Sequence, residues 1–364
     1  MRDNTRPVLY AICSSLLLLV LCMHLLNNSQ IFKMPPAKRI TVTQDYKPNR
    51  RIVSTNLPLD DKYNRTEEIS KATNQGKVPD VIGIGVRKCG TGVYMKFLEK
   101  HGYFRFPSFY NYETEYFTRN KHKGLSWYMS VFDPTPNEKL AIEKTPHYLY
   151  AKPSSIPDDI LQLNSNAKII LLLCNPTPRA YSCFVHHYGK GISSKDWPFA
   201  FEHYVRKNLP LVQQTLANSP RQDIEKFIFA NWNSNLECII AGLYSFHIKR
   251  WQSRFNESHM MIINGEKVMQ NPGPEYIKLQ KFLGVPEMFQ EKDWVKNNTT
   301  GHFCLRPPNN RSTLYCQDDQ VKKGRTRSLI AAKPKRNITM WLNNFYRPYN
   351  DELVQLLGKK FLWN

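Results

Sequence analysis

Apolar and polar positions alternate in blocks along this chain. Residues 81–86 read Val-Ile-Gly-Ile-Gly-Val, and 168–173 read Lys-Ile-Ile-Leu-Leu-Leu. Short unbroken apolar runs of this kind suit strands covered on both faces. Residues 140–143 and 260–263 are shorter strand candidates. Helical spacing appears at 93–99, 158–163, 177–188 and 275–283, and 236–255 reads as one long helix. Strands alternating with helices predict an α/β fold around a parallel sheet with right-handed crossovers. Between the first two strands, 104–123 is rich in aromatics and carries Glu113 and Glu115. An amphipathic segment follows from Gly124.

Ligands of such sheets bind outside the carboxyl ends of the strands. The first strand breaks there into Arg87-Lys88-Cys89-Gly90-Thr91-Gly92, and a helix follows. Strand, glycine-bearing turn and helix start present backbone N–H groups and a positive helix end to an anion. Lys88 adds a full charge and Thr91 a hydroxyl donor, so phosphate or sulfate is the natural guest. The plainer alternative is a tight turn with an exposed lysine, because the spacing is not G-x4-G-K-[ST]. Lys144 and the segment 175–182 also follow strands, so all three should converge on one crevice.

Charge and cysteine usage narrow the setting. The 364-residue chain has a formal net charge of +21, which points to a polyanionic partner: nucleic acid, anionic membrane or acidic polysaccharide. Residues 8–26 are nearly all apolar and follow Arg2 and Arg6. That length spans a bilayer core, and the positive-inside rule puts 1–7 in the cytosol and the rest in the lumen. A cleaved signal peptide is the competing reading, but no A-x-A site follows the run. Residues 27–78 are polar and proline-dotted, a stem before a folded domain at 79–364. Sequons at Asn27, Asn64, Asn256, Asn297, Asn298, Asn310 and Asn337 fit a luminal domain. So does a disulfide between Cys304 and Cys316, which flank a loop-like stretch. Anchor and sequons exclude nucleic acid as the partner.

Several motifs now occur in one order. Arg87-Lys88-x-Gly90-Thr91, Glu143-Lys144-Thr145-Pro146, Pro176-x-x-Arg179-x-x-Ser182, Gly301-x-Phe303-Cys304-Leu305 and Lys323-Gly324-Arg325 span the folded domain. Together they resemble the Golgi heparan sulfate sulfotransferases. The tail from Phe345 to Asn364 is most similar to the glucosamine 3-O-sulfotransferases. Asn175-Pro176, Arg179, Ser182 and His186 look more like the N-sulfotransferase domain of the bifunctional N-deacetylase/N-sulfotransferases.

This resemblance implies a P-loop-like α/β fold that uses PAPS (3′-phosphoadenylyl sulfate) and no metal. It implies a single-pass type II protein of the Golgi membrane with a luminal catalytic domain. The acceptor is heparan sulfate, closest to the 3-O position of glucosamine; N-sulfation and a silent heparan-binding form are the alternatives. By motif match, Lys88, Cys89, Gly90, Thr91 and Gly92 cradle the 5′-phosphosulfate, and Lys144 stabilises charge on the bridging oxygen. Ser182 takes the 3′-phosphate, while Phe303, Lys323, Gly324 and Arg325 close over the nucleotide. Glu113 is the general base, with Glu115, Lys144, Thr145 and Pro146 on the acceptor side and His186 as a further catalytic candidate. The chain departs from the family at four places. Cys174 stands for an arginine, with Arg179 as its possible substitute; Glu115 stands for a histidine, Thr118 for an aspartate and Gly92 for an arginine.

Overall fold

A computed structural model describes residues 77–109, 112–132, 139–299, 301–316, 332–358 and 361–363. The apolar run 8–26, nearly all of the stem and the motif Lys323-Gly324-Arg325 lie outside them. Among the described residues no helix is long and apolar enough to cross a membrane.

The chain opens with β1 (Val81–Gly85), α1 (Thr91–Leu98) and β2 (Phe104–Arg105). A π-helical turn at Tyr116–Asn120 and α2 (Gly124–Ser130) lead to β3 (Leu140–Lys144). Then come α3 (Ile156–Leu163), β4 (Lys168–Leu173), α4 (Pro176–Tyr188), α5 (Trp197–Asn218) and α6 (Arg221–Ala230). A short α7 (Glu237–Ile240) and α8 (Tyr244–Gln252) precede β5 (Met260–Asn264), α9 (Gly265–Gln270) and α10 (Pro272–Leu283). Strands β6 (Trp294–Lys296), β7 (Phe303–Leu305) and β8 (Tyr315–Cys316) form a small antiparallel sheet, and α11 (Arg336–Leu357) follows.

The main sheet has the order β2-β3-β1-β4-β5, with every pairing parallel. Its central strands explain the unbroken apolar runs. Ile82, Ile84, Ile169 and Leu171 point into one core with Leu149 and Trp251. Val81, Ile170 and Leu172 point into the opposite one with Tyr94, Leu98 and Tyr276. Successive strand residues face opposite sides, so two covered faces demand apolar residues at every position. A third core joins α4, α5 and α11 through Phe184, Phe201, Val205, Leu342 and Tyr346.

The expected long helix at 236–255 is broken. It forms α7 and α8, with Leu243 leaving helical geometry at φ −81°, ψ 61°. The break leaves room only for glycine at 242: a Cβ there would meet the Tyr346 ring at 2.8 Å and Pro176 at 2.9 Å. The Tyr346 hydroxyl also donates to the Ile239 carbonyl at 2.8 Å, closing the end of α7. Helices α5 and α11 were not anticipated; each carries an internal proline, Pro210 and Pro348, which interrupts the periodic pattern. Gly242→Ala should destabilise the domain by about 1–3 kcal/mol, the usual cost of overpacking. Urea denaturation of the folded domain would measure it.

Candidate active site

The turn after β1 is built for an anion. Lys88 and Gly90 both take positive φ, 76° and 85°. Gly90 adopts this without a Cβ penalty, and no side chain caps α1 behind it. The helix therefore starts with its positive end at the turn. Lys88 is half-buried; desolvation, and then neighbouring Arg87, lower its pKa.

Cys89 does more than donate backbone to this turn. Its sulfur is bonded to that of Cys174, at the end of β4. The two cysteines are thus one cross-link between adjacent strand ends. The Tyr244 hydroxyl donates to the Cys174 carbonyl at 2.9 Å. Asn175 caps α4 by accepting from Thr177 N at 3.0 Å, and its own N–H donates to Glu266 on α9. The junctions after β1, β4 and β5 are therefore held to one another.

The end of β3 carries the second half of the site. The Lys144 ammonium donates to the Glu113 carboxylate; their side chains are 4% and 25% exposed. Burial lowers the Lys144 pKa, and Glu113 works against that shift. The Glu115 N–H donates to Thr145 Oγ1 at 3.2 Å, and the Glu115 carboxylate pairs with Arg119 at 3.1 Å. Pro146 is buried beside them. Glu143 is wholly buried and accepts from Thr114 and from Tyr128 (2.6 Å).

A third group was not legible from spacing. Arg87 donates to Glu237 at 2.9 Å and to His147 Nδ1 at 3.0 Å. With Nδ1 accepting, the His147 proton is on Nε2 and donates to Thr118 Oγ1, 3.1 Å away. Burial, then Arg87, Arg119 and Lys144, hold His147 well below its ordinary pKa, so it is neutral. Tyr150 donates to Glu237 at 2.7 Å. Burial opposes the Arg87 charge, but Tyr150, Glu237, Glu113 and Glu115 outweigh it and raise its pKa. Arg87 lies inside the recognised turn, but its partners are 60 and 150 residues away in sequence. No local signal announces them.

Two strand ends thus present lysines at an uncapped helix start, with a carboxylate alongside. Residues 78–358 match the sulfotransferase domain family. The chain belongs to that family. Heparan sulfate glucosamine 3-O-sulfotransferase 3B1 of Mus musculus is 26% identical over 92% of this chain and 77% of that protein. Heparan sulfate glucosamine 3-O-sulfotransferase 6 of Homo sapiens is 26% identical over 81% of this chain and 76% of its own length. A sulfotransferase from Alicyclobacillus acidocaldarius superposes with a TM-score of 0.52 at 16% identity, over 77% of this chain and 96% of that one. That likeness concerns the fold.

The remaining expected residues of the sulfotransferase are placed as follows. Arg179 is buried within α4 and donates to the Cys238 carbonyl on α7. Ser182 is half-buried on the same helix, and Phe303 is half-buried in β7. His186 is exposed, its ring 5.0 Å from that of His187. His187 lies 3.4 Å from Arg87 and 3.7 Å from Glu237. Cys304 and Cys316 are bonded across β7 and β8, as expected. A third disulfide, Cys183–Cys238, joins α4 to α7. The ligand atoms of Cys183, Cys238 and His187 cluster as metal ligands can, but the sulfurs are bonded to each other and offer no thiolates.

The Cys89–Cys174 bridge closes a span of 85 residues. Replacing both cysteines by alanine should cost up to ~4 kcal/mol on a loop-entropy argument. Urea denaturation of the double variant, with nonreducing peptide mapping of the parent protein, measures this.

Proposed function

We propose that this sulfotransferase moves a sulfuryl group from PAPS to glucosamine of heparan sulfate, at the 3-O position. The observation that carries the reading is the Lys144–Glu113 pair beside the turn that bears Lys88. A cation for the leaving side and a carboxylate for the incoming hydroxyl are what sulfuryl transfer to an alcohol requires. Relatives named as 3-O-sulfotransferases over most of the chain support the acceptor.

The residues fit the donor: a start of α1 with no side-chain cap, Lys88 and Lys144 suit an anionic phosphosulfate. When bound, PAPS supplies the activated sulfuryl group. Lys88, Gly90, Thr91 and Gly92 would hold its phosphosulfate end, with Ser182 toward the 3′-phosphate. Glu113 exchanges its contact with Lys144 for the acceptor hydroxyl and takes up that proton. Lys144, released from Glu113, stabilises negative charge on the leaving side. Burial makes this charge more effective than it would be in water. The proposal includes a luminal Golgi setting with residues 8–26 as the anchor. The three disulfides fit an oxidising compartment. The net charge of +21 suits a polyanionic acceptor.

Glu113→Gln keeps the size and removes the base. Turnover should fall at least ~10²-fold, with nucleotide affinity little changed. Lys88→Ala should weaken both, because its charge faces the donor in the ground state and the transition state. Turnover with labelled PAPS, calorimetric binding of PAP and mapping of the sulfated position measure these effects. Near wild-type transfer by the glutamine variant, or sulfate on nitrogen, would sink the respective assignment.

A further inference from the structure

Glu143 has no part in the chemistry above, yet it joins the two residues that do. It precedes Lys144 on β3, and Thr114 follows Glu113. Successive strand residues point to opposite faces. Lys144 therefore reaches Glu113 on one face while Glu143 takes the Thr114 hydroxyl on the other. Two neighbouring residues on β3 thus grip two neighbouring residues of the base-bearing segment.

The grip extends further along that segment. Tyr148 lies close enough to Glu143 to feel its charge, and its hydroxyl oxygen accepts the Phe117 N–H at 3.2 Å. Thr114 Oγ1 accepts the Tyr116 N–H at 3.3 Å, and Asn120 donates to the Thr114 carbonyl at 2.7 Å. Tyr128 comes from α2 and stacks on Tyr116 with centroids 4.0 Å apart. Glu143 is 0% exposed, so its carboxylate depends on protein donors for solvation.

We infer that Glu143 is a positioning residue, whose carboxylate sets Glu113 against Lys144 by holding Thr114 and the aromatic segment behind it. This deepens the reading of Glu113 and Lys144 above and rests on it. The hydroxyls donated by Thr114 and Tyr128 suit an anion. A protonated carboxyl must itself donate, and so turns one of the hydroxyls away. The titratable and charged groups that face it are Tyr128, Tyr148 and Lys144. Burial raises both tyrosines well above their usual range, so they stay protonated donors. Burial also raises Glu143 to about 7, against its hydrogen bonds. The folded-state pKa is thus above the unfolded one. The stability this group contributes is fully present below the unfolded value and is lost as pH rises through about 7. That loss runs from the ordinary carboxylate range up to about 7, and the ordered carboxylate appears as it ends, so activity should rise where the fall in stability levels off.

The test uses Glu143→Gln and Glu143→Asp in the full chain. Glu143→Gln should lower turnover ~10–100-fold, the scale of a small misplacement of catalytic groups. It should leave PAP affinity unchanged and lose the rise in turnover between about pH 6 and 8 that the parent shows around its Glu143 titration. Its stability should also lose the fall that the parent shows between the ordinary carboxylate range and about pH 7. Glu143→Asp should keep the pH-dependent rise at a lower turnover. Carboxyl 13C NMR adds a readout independent of activity. The Glu113 resonance, assigned by its loss in Glu113→Gln, should respond to the Glu143 titration in the parent and not in Glu143→Gln. Should Glu143→Gln not fold, Thr114→Val cuts the same link and should lower turnover and remove the Glu113 response. An unchanged pH profile, or a Glu113 resonance indifferent to Glu143, overturns the inference. A parent protein that transfers no sulfate overturns the proposed function instead, and the NMR arm still decides the positioning.

Discussion

A buried cation must be paired, and this constraint shapes the centre of the molecule. Lys144 ends a strand covered on both faces and has almost no contact with water. An unpaired ammonium there would cost several kcal/mol. Glu113 meets the requirement, and the segment that bears it must therefore fold back over the end of β3. The aromatic residues of that segment supply the packing, with Tyr116 on Tyr128 and Phe117 against Tyr148. Glu113 is delivered to its place by the same contacts that cover the lysine.

Arg87 repeats the logic one strand away. Its guanidinium is compensated by Glu237 and by neutral His147, which reaches on to Thr118. The two clusters share one field: Glu113 and Glu115 act on Arg87, and Arg87 acts on Lys144 and His147. Much of the positive charge near the crevice is thus already answered by the protein, while Lys88 remains at the turn. The covalent tie between Cys89 and Cys174 holds that turn where a flexible loop would have to be ordered on binding. These features hold Lys88, Lys144 and Glu113 in fixed places at the ends of neighbouring strands.

Much of this was legible in the chain. The apolar runs at 81–86 and 168–173 determined two doubly covered strands, because only a parallel sheet with helices on both faces uses such residues at every position. The glycine-bearing turn, with Lys88 beside it, marked an anion site through the backbone chemistry of a strand–helix junction. The motif order pointed to the sulfotransferases, and the spacing of Cys304 and Cys316 pointed to their bond. Tertiary structure decided the rest. The partners Arg87–Glu237, Arg87–His147 and Cys89–Cys174 are separated by 150, 60 and 85 residues, and no local pattern encodes who meets whom at the end of a sheet. Tyr346, more than a hundred residues on, packs so closely at the break between α7 and α8 that only glycine fits at 242. Glu143 read in the chain only as Lys144's neighbour in a motif, and it is burial in the fold that raises its pKa. Local sequence sets the period and chemistry of each element, while long-range packing decides which charges lose water and therefore which must find one another.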